Sequence, residues 1–157
     1  PGRSAPAWAT VEWFNSRGPL QLADLRGRVV VLHAFQMLCP GCVQHGLPQA
    51  QRIHAAFAAD GVAVIGLHTV FEHHAAMTPV ALRAFLHEWR IGLPVGVDAP
   101  SDAARDPLPQ TMRAYGLQGT PSLLLIDRNG FLRLHSFGAE DDLTVGAAIA
   151  TLVAEAG

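Results

Sequence analysis

The sequence predicts an α/β chain with a central mixed β-sheet flanked by helices. Three observations carry this expectation. Short apolar runs alternate with stretches of helical periodicity along most of the chain. An Asn129-Gly130 pair separates two apolar runs near the end. The only two cysteines, Cys39-Pro40-Gly41-Cys42, lie between an apolar run and a helical stretch. Apolar runs without polar alternation mark strands covered on both faces, and strand–helix–strand repeats require parallel pairing. With 157 residues, half of them hydrophobic, the chain suits one domain over residues 1–157, with a core that needs no disulfide staple.

Trp8 to Phe14 reads as a short edge strand, and Leu20–Gly27 as a turn feeding the strand Val29–Phe35. A helix follows from about residue 40 to 59, bent by Pro48, which removes a hydrogen bond from its interior. Val62–Leu67 is a second central strand. Thr78-Pro79 starts a helix in which Val80, Leu82, Phe85, Leu86 and Trp89 recur at helical spacing, and Gly92 ends it. Leu93–Val97 makes a short strand, and Leu108–Tyr115 a short helix. Ser122–Asp127 and Phe131–His135 form a hairpin, with Asn-Gly supplying positive φ angles at the turn. A last helix runs from about Asp142 to Glu155, apolar at Leu143, Ile149, Leu152 and Val153.

Eleven Lys+Arg, all arginine, against thirteen Asp+Glu give a formal net charge of −2. Without a basic cluster interleaved with aromatics, nucleic acid is excluded as a partner. No apolar run reaches the roughly 18–20 residues that span a bilayer, so the chain reads as soluble and monomeric. It begins at Pro1, so any leader or anchor would precede these residues, and two cysteines in one C-x-x-C fit the cytoplasm and the periplasm equally.

The cysteine pair carries the chemistry. Backbone N–H groups at a helix start lack intrahelical partners and favour negative charge, so a thiolate is stabilised there. In a C-x-x-C pair the ordinary thiol value of roughly 8.5 can fall to roughly 3.5–7.5. The spacing lets Cys42 return across one turn to resolve a mixed disulfide on Cys39.

Three ordered segments, Leu22–Leu32, Cys39-Pro40-Gly41-Cys42 and Tyr115–Gly130, together resemble the TlpA-like redoxin branch of the thioredoxin superfamily, from about residue 20 to the end. The resemblance implies a thioredoxin-like fold with an extra N-terminal β segment and an inserted helix. It implies thiol-disulfide exchange with protein thiols or disulfides and with a separate redox partner, and no cofactor or metal beyond the Cys39–Cys42 disulfide. Cys39 would be the attacking thiolate and Cys42 the resolving thiol. Pro121 would be the family's cis-proline, with the Thr120 backbone beside Cys39 to pair with an extended substrate segment.

Several positions depart from that family. His33 stands where relatives often carry a buried acid, and is read as accepting or relaying the proton of Cys42; a neutral core histidine bonded to a carbonyl is the alternative. His45 replaces a frequent glutamate one helical turn past Cys42, where a cationic ring would tune the thiolate and a solvated surface ring would not. Pro48 lies six residues beyond Cys42 instead of five, which places an extra residue near Gly46. Gln36, Met37 and Leu38 replace the common Ala-x-Trp, leaving an apolar rim at Met37 and Leu38.

Two other functions fit parts of the pattern. A peroxiredoxin-like thiol peroxidase would use Cys42 against peroxide, but Phe35 and Cys39 stand where that family has a proline and a hydroxyl residue. A copper- or zinc-binding metallochaperone would combine the cysteines with His45, His73 or His74.

Overall fold

The computed structural model describes residues 2–157; Pro1, where the expected domain begins, lies outside the described residues. Six strands form one sheet: β1 (Thr10–Phe14), β2 (Val30–Phe35), β3 (Ala63–His68), β4 (Val95–Asp98), β5 (Ser122–Ile126) and β6 (Leu132–Phe137), in the order β1-β4-β3-β2-β5-β6. The β2/β3 and β3/β4 pairs are parallel and the other three antiparallel, so the sheet is mixed, as the alternation predicts. The uninterrupted runs VVLHAF, AVIGLH and SLLLI become β2, β3 and β5, buried at every position. LRLHSF alternates and becomes the edge strand β6.

Alternation along each central strand divides the core. Val31 and Phe35 of β2, Val64 of β3 and Leu123 and Leu125 of β5 face three helices: α1 (Leu47–Phe57), α2 (Pro79–Glu88) and α4 (Asp142–Ala154). Val30, Leu32, Ile65, Leu67, Leu124 and Ile126 face the opposite way. There Leu22 and Leu25 of a 3₁₀ turn, Met112 and Tyr115 of α3 (Gln110–Tyr115), and Trp8 cover them. By the same parity His33 points towards α1.

The helix after the cysteines differs from the sequence expectation. Cys42–Gly46 is a π-helical turn, in which Leu47 N–H reaches back five residues to the Cys42 carbonyl, and α1 continues from Leu47 to Phe57. A π turn holds one residue more than an α turn. It absorbs the extra residue and places Pro48 in the first turn of α1, where its missing N–H costs little. At the end of α2 the expected stop at Gly92 gives way to Arg90, which takes the left-handed conformation (φ 53°). Arg90 and Ile91 donate to the carbonyls of His87 and Leu86, the bond pattern usually closed by glycine. Val80, Trp89 and Leu143 are exposed at 81%, 59% and 84%, so three of the apolar positions at helical spacing do not face the core. In the hairpin only Gly130 has a positive φ; the Asp127 carboxylate accepts from Asn129 and Phe131 N–H and shapes the turn instead.

Residues 5–9 cross the second face from a bridge at Ser4 and Phe131, beside β6, to β1 on the far edge. Trp8 is therefore covered and lies outside the strand expected from it: its Nε1 donates to Tyr115 Oη (3.1 Å), which donates to the Pro6 carbonyl (2.6 Å). Asp98, buried at the end of β4, fixes α3 by accepting from Thr111 N–H (2.8 Å), Met112 N–H (3.0 Å) and the Thr69 hydroxyl (2.9 Å). Asp98→Ala leaves these buried donors unpartnered and is expected to cost about 3 kcal/mol. Urea denaturation of the variant measures the loss.

Candidate active site

Beyond Phe35 the chain leaves the sheet and closes a turn, with Cys39 N–H donating to the Gln36 carbonyl at 3.0 Å. The helix starts at Pro40, whose fixed φ suits a first helical position. Cys39 then stands at the cap: its carbonyl accepts from Cys42 and Val43 N–H at 3.1 Å, and its sulfur accepts from Cys42 N–H at 3.3 Å. The sulfur thus occupies the place a serine or aspartate oxygen takes at an ordinary helix start. On its other side the thiol donates to the Thr120 carbonyl at 3.5 Å, and the Thr120–Pro121 peptide is cis.

The two sulfurs differ sharply. Cys39 is partly exposed, whereas Cys42 has no exposed surface. Burial, reinforced by the neighbouring Cys39 sulfur, pushes the Cys42 thiol up to about 12, so it stays protonated at pH 7. The pair is a dithiol here.

Both glycines near the pair make room for Pro121. A Cβ on Gly41 would lie 3.3 Å from Pro121 Cδ, and one on Gly46 would lie 3.1 Å from Pro121 Cβ and 2.4 Å from His33 Cε1. The π turn, bonding residue i to i+5, brings these two positions, five apart, to the same side of the helix. His33 therefore sits behind Pro121 and beneath Gly46, stacked on Phe35 with ring centroids 5.9 Å apart. Its Nε2 is buried without a hydrogen-bond partner. Burial foremost, and the charge of His45 second, push its imidazole down to about 4, so the ring is neutral at pH 7.

His45 turns to the loop between β6 and α4. Its Nε2 donates to the Glu140 carbonyl at 3.0 Å, which also accepts from Gln49 at 2.8 Å. Gln49 and Arg52 then hold Asp142 at the start of α4. Leu38, next to Cys39 in sequence, is half exposed, and so is Phe137, which packs over Gly119 in the loop that carries Thr120 and Pro121. Met37 packs inward against the core. His74 lies 3.2 Å from the Pro107 carbonyl, and among the described residues no three His, Cys, Asp or Glu side chains are grouped to hold a metal. A surface hollow of about 520 Å³ lies along α2, lined by residues that include Phe14, Arg83, Leu86 and Arg90 and neither cysteine.

Two residues at this site carry no motif signal in the sequence. Gln36 and His68 are buried at the C-terminal ends of β2 and β3, and both bond to the turn or loop beside Cys39. The one trace of them is a polar residue closing each apolar run.

A family model described as the AhpC/TSA family matches residues 1–135. Among curated proteins, DipZ of Mycobacterium tuberculosis is 30% identical over 131 residues, 82% of this chain but 17% of that protein. NHL repeat-containing protein 2 of Gallus gallus is 38% identical over 61 residues, 38% of this chain and 8% of that protein. The chain thus spans less than a fifth of the length of these curated relatives. Among solved structures, a thioredoxin-like superfamily protein is 61% identical with a TM-score of 0.94, covering 99% of both chains. A thiol-disulfide isomerase from Corynebacterium glutamicum is 49% identical (TM-score 0.90, covering 97% of this chain and 98% of that one). A candidate thiol:disulfide interchange protein DsbE from Chlorobium tepidum is 27% identical (TM-score 0.79, covering 97% and 96%).

His33 and His68, both held down to about 4 by burial, make stability depend on pH. Each binds a proton less readily folded than unfolded, so stability is full above about pH 7 and falls as pH drops from about 6.5 towards 4. At 1.36 kcal/mol per pH unit each ring contributes on the order of 3 kcal/mol to that fall. Urea midpoints between pH 7.5 and 4 are expected to drop, and a flat profile would show that both rings protonate freely in the native state.

Proposed function

We propose that this chain, a member of the AhpC/TSA family similar in structure to a thiol-disulfide isomerase, is a thioredoxin-like thiol-disulfide oxidoreductase that works through a mixed disulfide on Cys39 that Cys42 resolves. The observation that carries this order is the asymmetry of the sulfurs: one capped by a helix N–H and open to solvent, the other buried with its thiol near 12. Cys39 thiolate attacks a protein disulfide; the substrate S–S bond breaks, a Cys39–substrate bond forms, and the departing sulfur takes a proton. Cys42 then loses its proton and attacks Cys39, giving the Cys39–Cys42 disulfide and a substrate reduced by two electrons. Run backwards, the same steps oxidise a dithiol. An extended substrate segment would lie along Thr120 and Pro121, with Leu38 and Phe137 at its sides.

His33 is the group we assign to the Cys42 proton. An imidazole near 4 and a thiol near 12 do not exchange a proton at rest. Nε2 has no hydrogen-bond partner and so does not bond the Cys42 thiol in the resting dithiol; in this role it must reach that proton as the Cys42–Cys39 bond forms, a general-base step. His45, bonded to Glu140, would act on the thiolate through its charge and by fixing the π turn. Among the described residues no helix is long and apolar enough to cross a membrane, and the likeness to a DsbE-type protein favours the periplasm as the place of action. A peroxidase using Cys42 is disfavoured by the same burial that makes it a resolving thiol.

Cys42→Ser is expected to accumulate mixed disulfides with an unfolded disulfide substrate, visible on non-reducing gels, and Cys39→Ser to form none. Rapid peroxide oxidation of Cys42 in Cys39→Ser would overturn this order. His33→Ala, compared with wild type between pH 5 and 9, is expected to slow resolution at least tenfold with mixed-disulfide formation unchanged; stopped-flow kinetics separate the two steps.

A further inference from the structure

Between β2 and Cys39 the chain runs out of strand partners, and side chains take over from the backbone. The last bond of the parallel ladder joins Thr69 N–H to the Phe35 carbonyl at 3.0 Å. Two residues past Phe35, Met37 N–H donates to Nε2 of His68 at 3.1 Å. His68 is 1% exposed, and the Phe35 ring lies against it with centroids 5.1 Å apart. Because Nε2 accepts, it carries no proton, which makes the ring the neutral Nδ1–H tautomer. Gln36 holds the same turn from the other side. Its side-chain oxygen accepts from Phe71 N–H at 3.2 Å, its side-chain nitrogen lies 3.4 Å from a Glu72 oxygen, and its carbonyl accepts from Cys39 N–H.

We propose that His68 is a positioning residue for Cys39: by accepting the Met37 N–H it fixes the Gln36–Cys39 turn, and with it the reach of the Cys39 sulfur to the Cys42 N–H and the Thr120 carbonyl. The proposal rests on Cys39 being the attacking sulfur. An aliphatic or aromatic residue at 68 leaves a part-buried N–H without its partner, and a turn two residues from the sulfur shifts to recover that loss. An acceptor at 68 is therefore a requirement of the site and not of the sheet, since the β2–β3 ladder is complete without it.

The test compares wild type, His68→Phe and His68→Gln. Cys39 alkylation by iodoacetamide is followed against pH, the modified residue is identified by mass, and the Cys39/Cys42 potential is measured against glutathione. His68→Phe is expected to slow alkylation at pH 7 about tenfold, the equivalent of one hydrogen bond, and to move its pH midpoint upward. His68→Gln, whose amide oxygen takes the N–H, recovers most of the loss. Superimposable pH profiles for wild type and His68→Phe overturn the proposal, as does a His68→Gln protein no better than His68→Phe. If His68→Phe does not fold, His68→Met takes its place in the same comparison. Failure of the underlying assignment reads differently, as disulfide exchange that survives Cys39→Ser with His68 intact.

Discussion

The site depends on one close packing, the ring of Pro121 lying against a helix that offers no side chain at Gly41 or Gly46. Its neighbours follow from it. With the ring in place, the Thr120 carbonyl comes within 3.5 Å of the Cys39 sulfur, and His33 fills the space behind. A methyl group at Gly46 would have to displace either His33 or the proline, and protein interiors transmit such displacements instead of absorbing them. The active-site helix, the proline loop and the buried histidine therefore form one packed unit.

Much of this was legible in the sequence, and the rest failed for physical reasons. The apolar runs gave every central strand, because burial on both faces leaves its mark on composition. The cysteine pair and Thr120-Pro121 stood out as motifs, and the structure places them together. The surplus residue before Pro48 was visible as a count, but a count does not say whether a helix kinks, loops or widens; the π turn is decided by packing against Pro121 and His33. At Arg90 the local rule expected glycine, and the burial of Ile91 against Leu86 decides for a residue that pays the left-handed penalty. Leu143, Val80 and Trp89 show the limit of periodicity, which reports what a helix could bury and not what stands opposite it. His68 was illegible because its role comes from Met37, which lies past the end of the ladder and thirty-one positions away in sequence.

Electrostatically the site is a contrast in solvation across one helical turn. Cys39 sits at the helix start with water near; Cys42, three residues on, sits where water is excluded. That difference, more than any acidic or basic neighbour, separates a sulfur suited to attack from one suited to wait. The histidines follow the same logic. His33 and His68 are neutral at pH 7 because burial disfavours their charge; the unprotonated nitrogen of His68 accepts a backbone N–H, while Nε2 of His33 has no partner beneath the π turn.

The strap of residues 5–9 has a mechanical consequence. Sheets usually transmit force from edge to edge only through the strands between, but here a covalent tie runs straight across one face, from the flank of β6 to β1. Tension applied at the start of the chain would reach the β6 edge first, through Arg3 and Ala5, which bond to Leu132 and Gly130. Those bonds take the load first and pass it to β6, two strands away from the end of β2 that leads to the cysteines. Tension from upstream therefore enters at the sheet edge farther from β1, and not at the strand that leads to the cysteines.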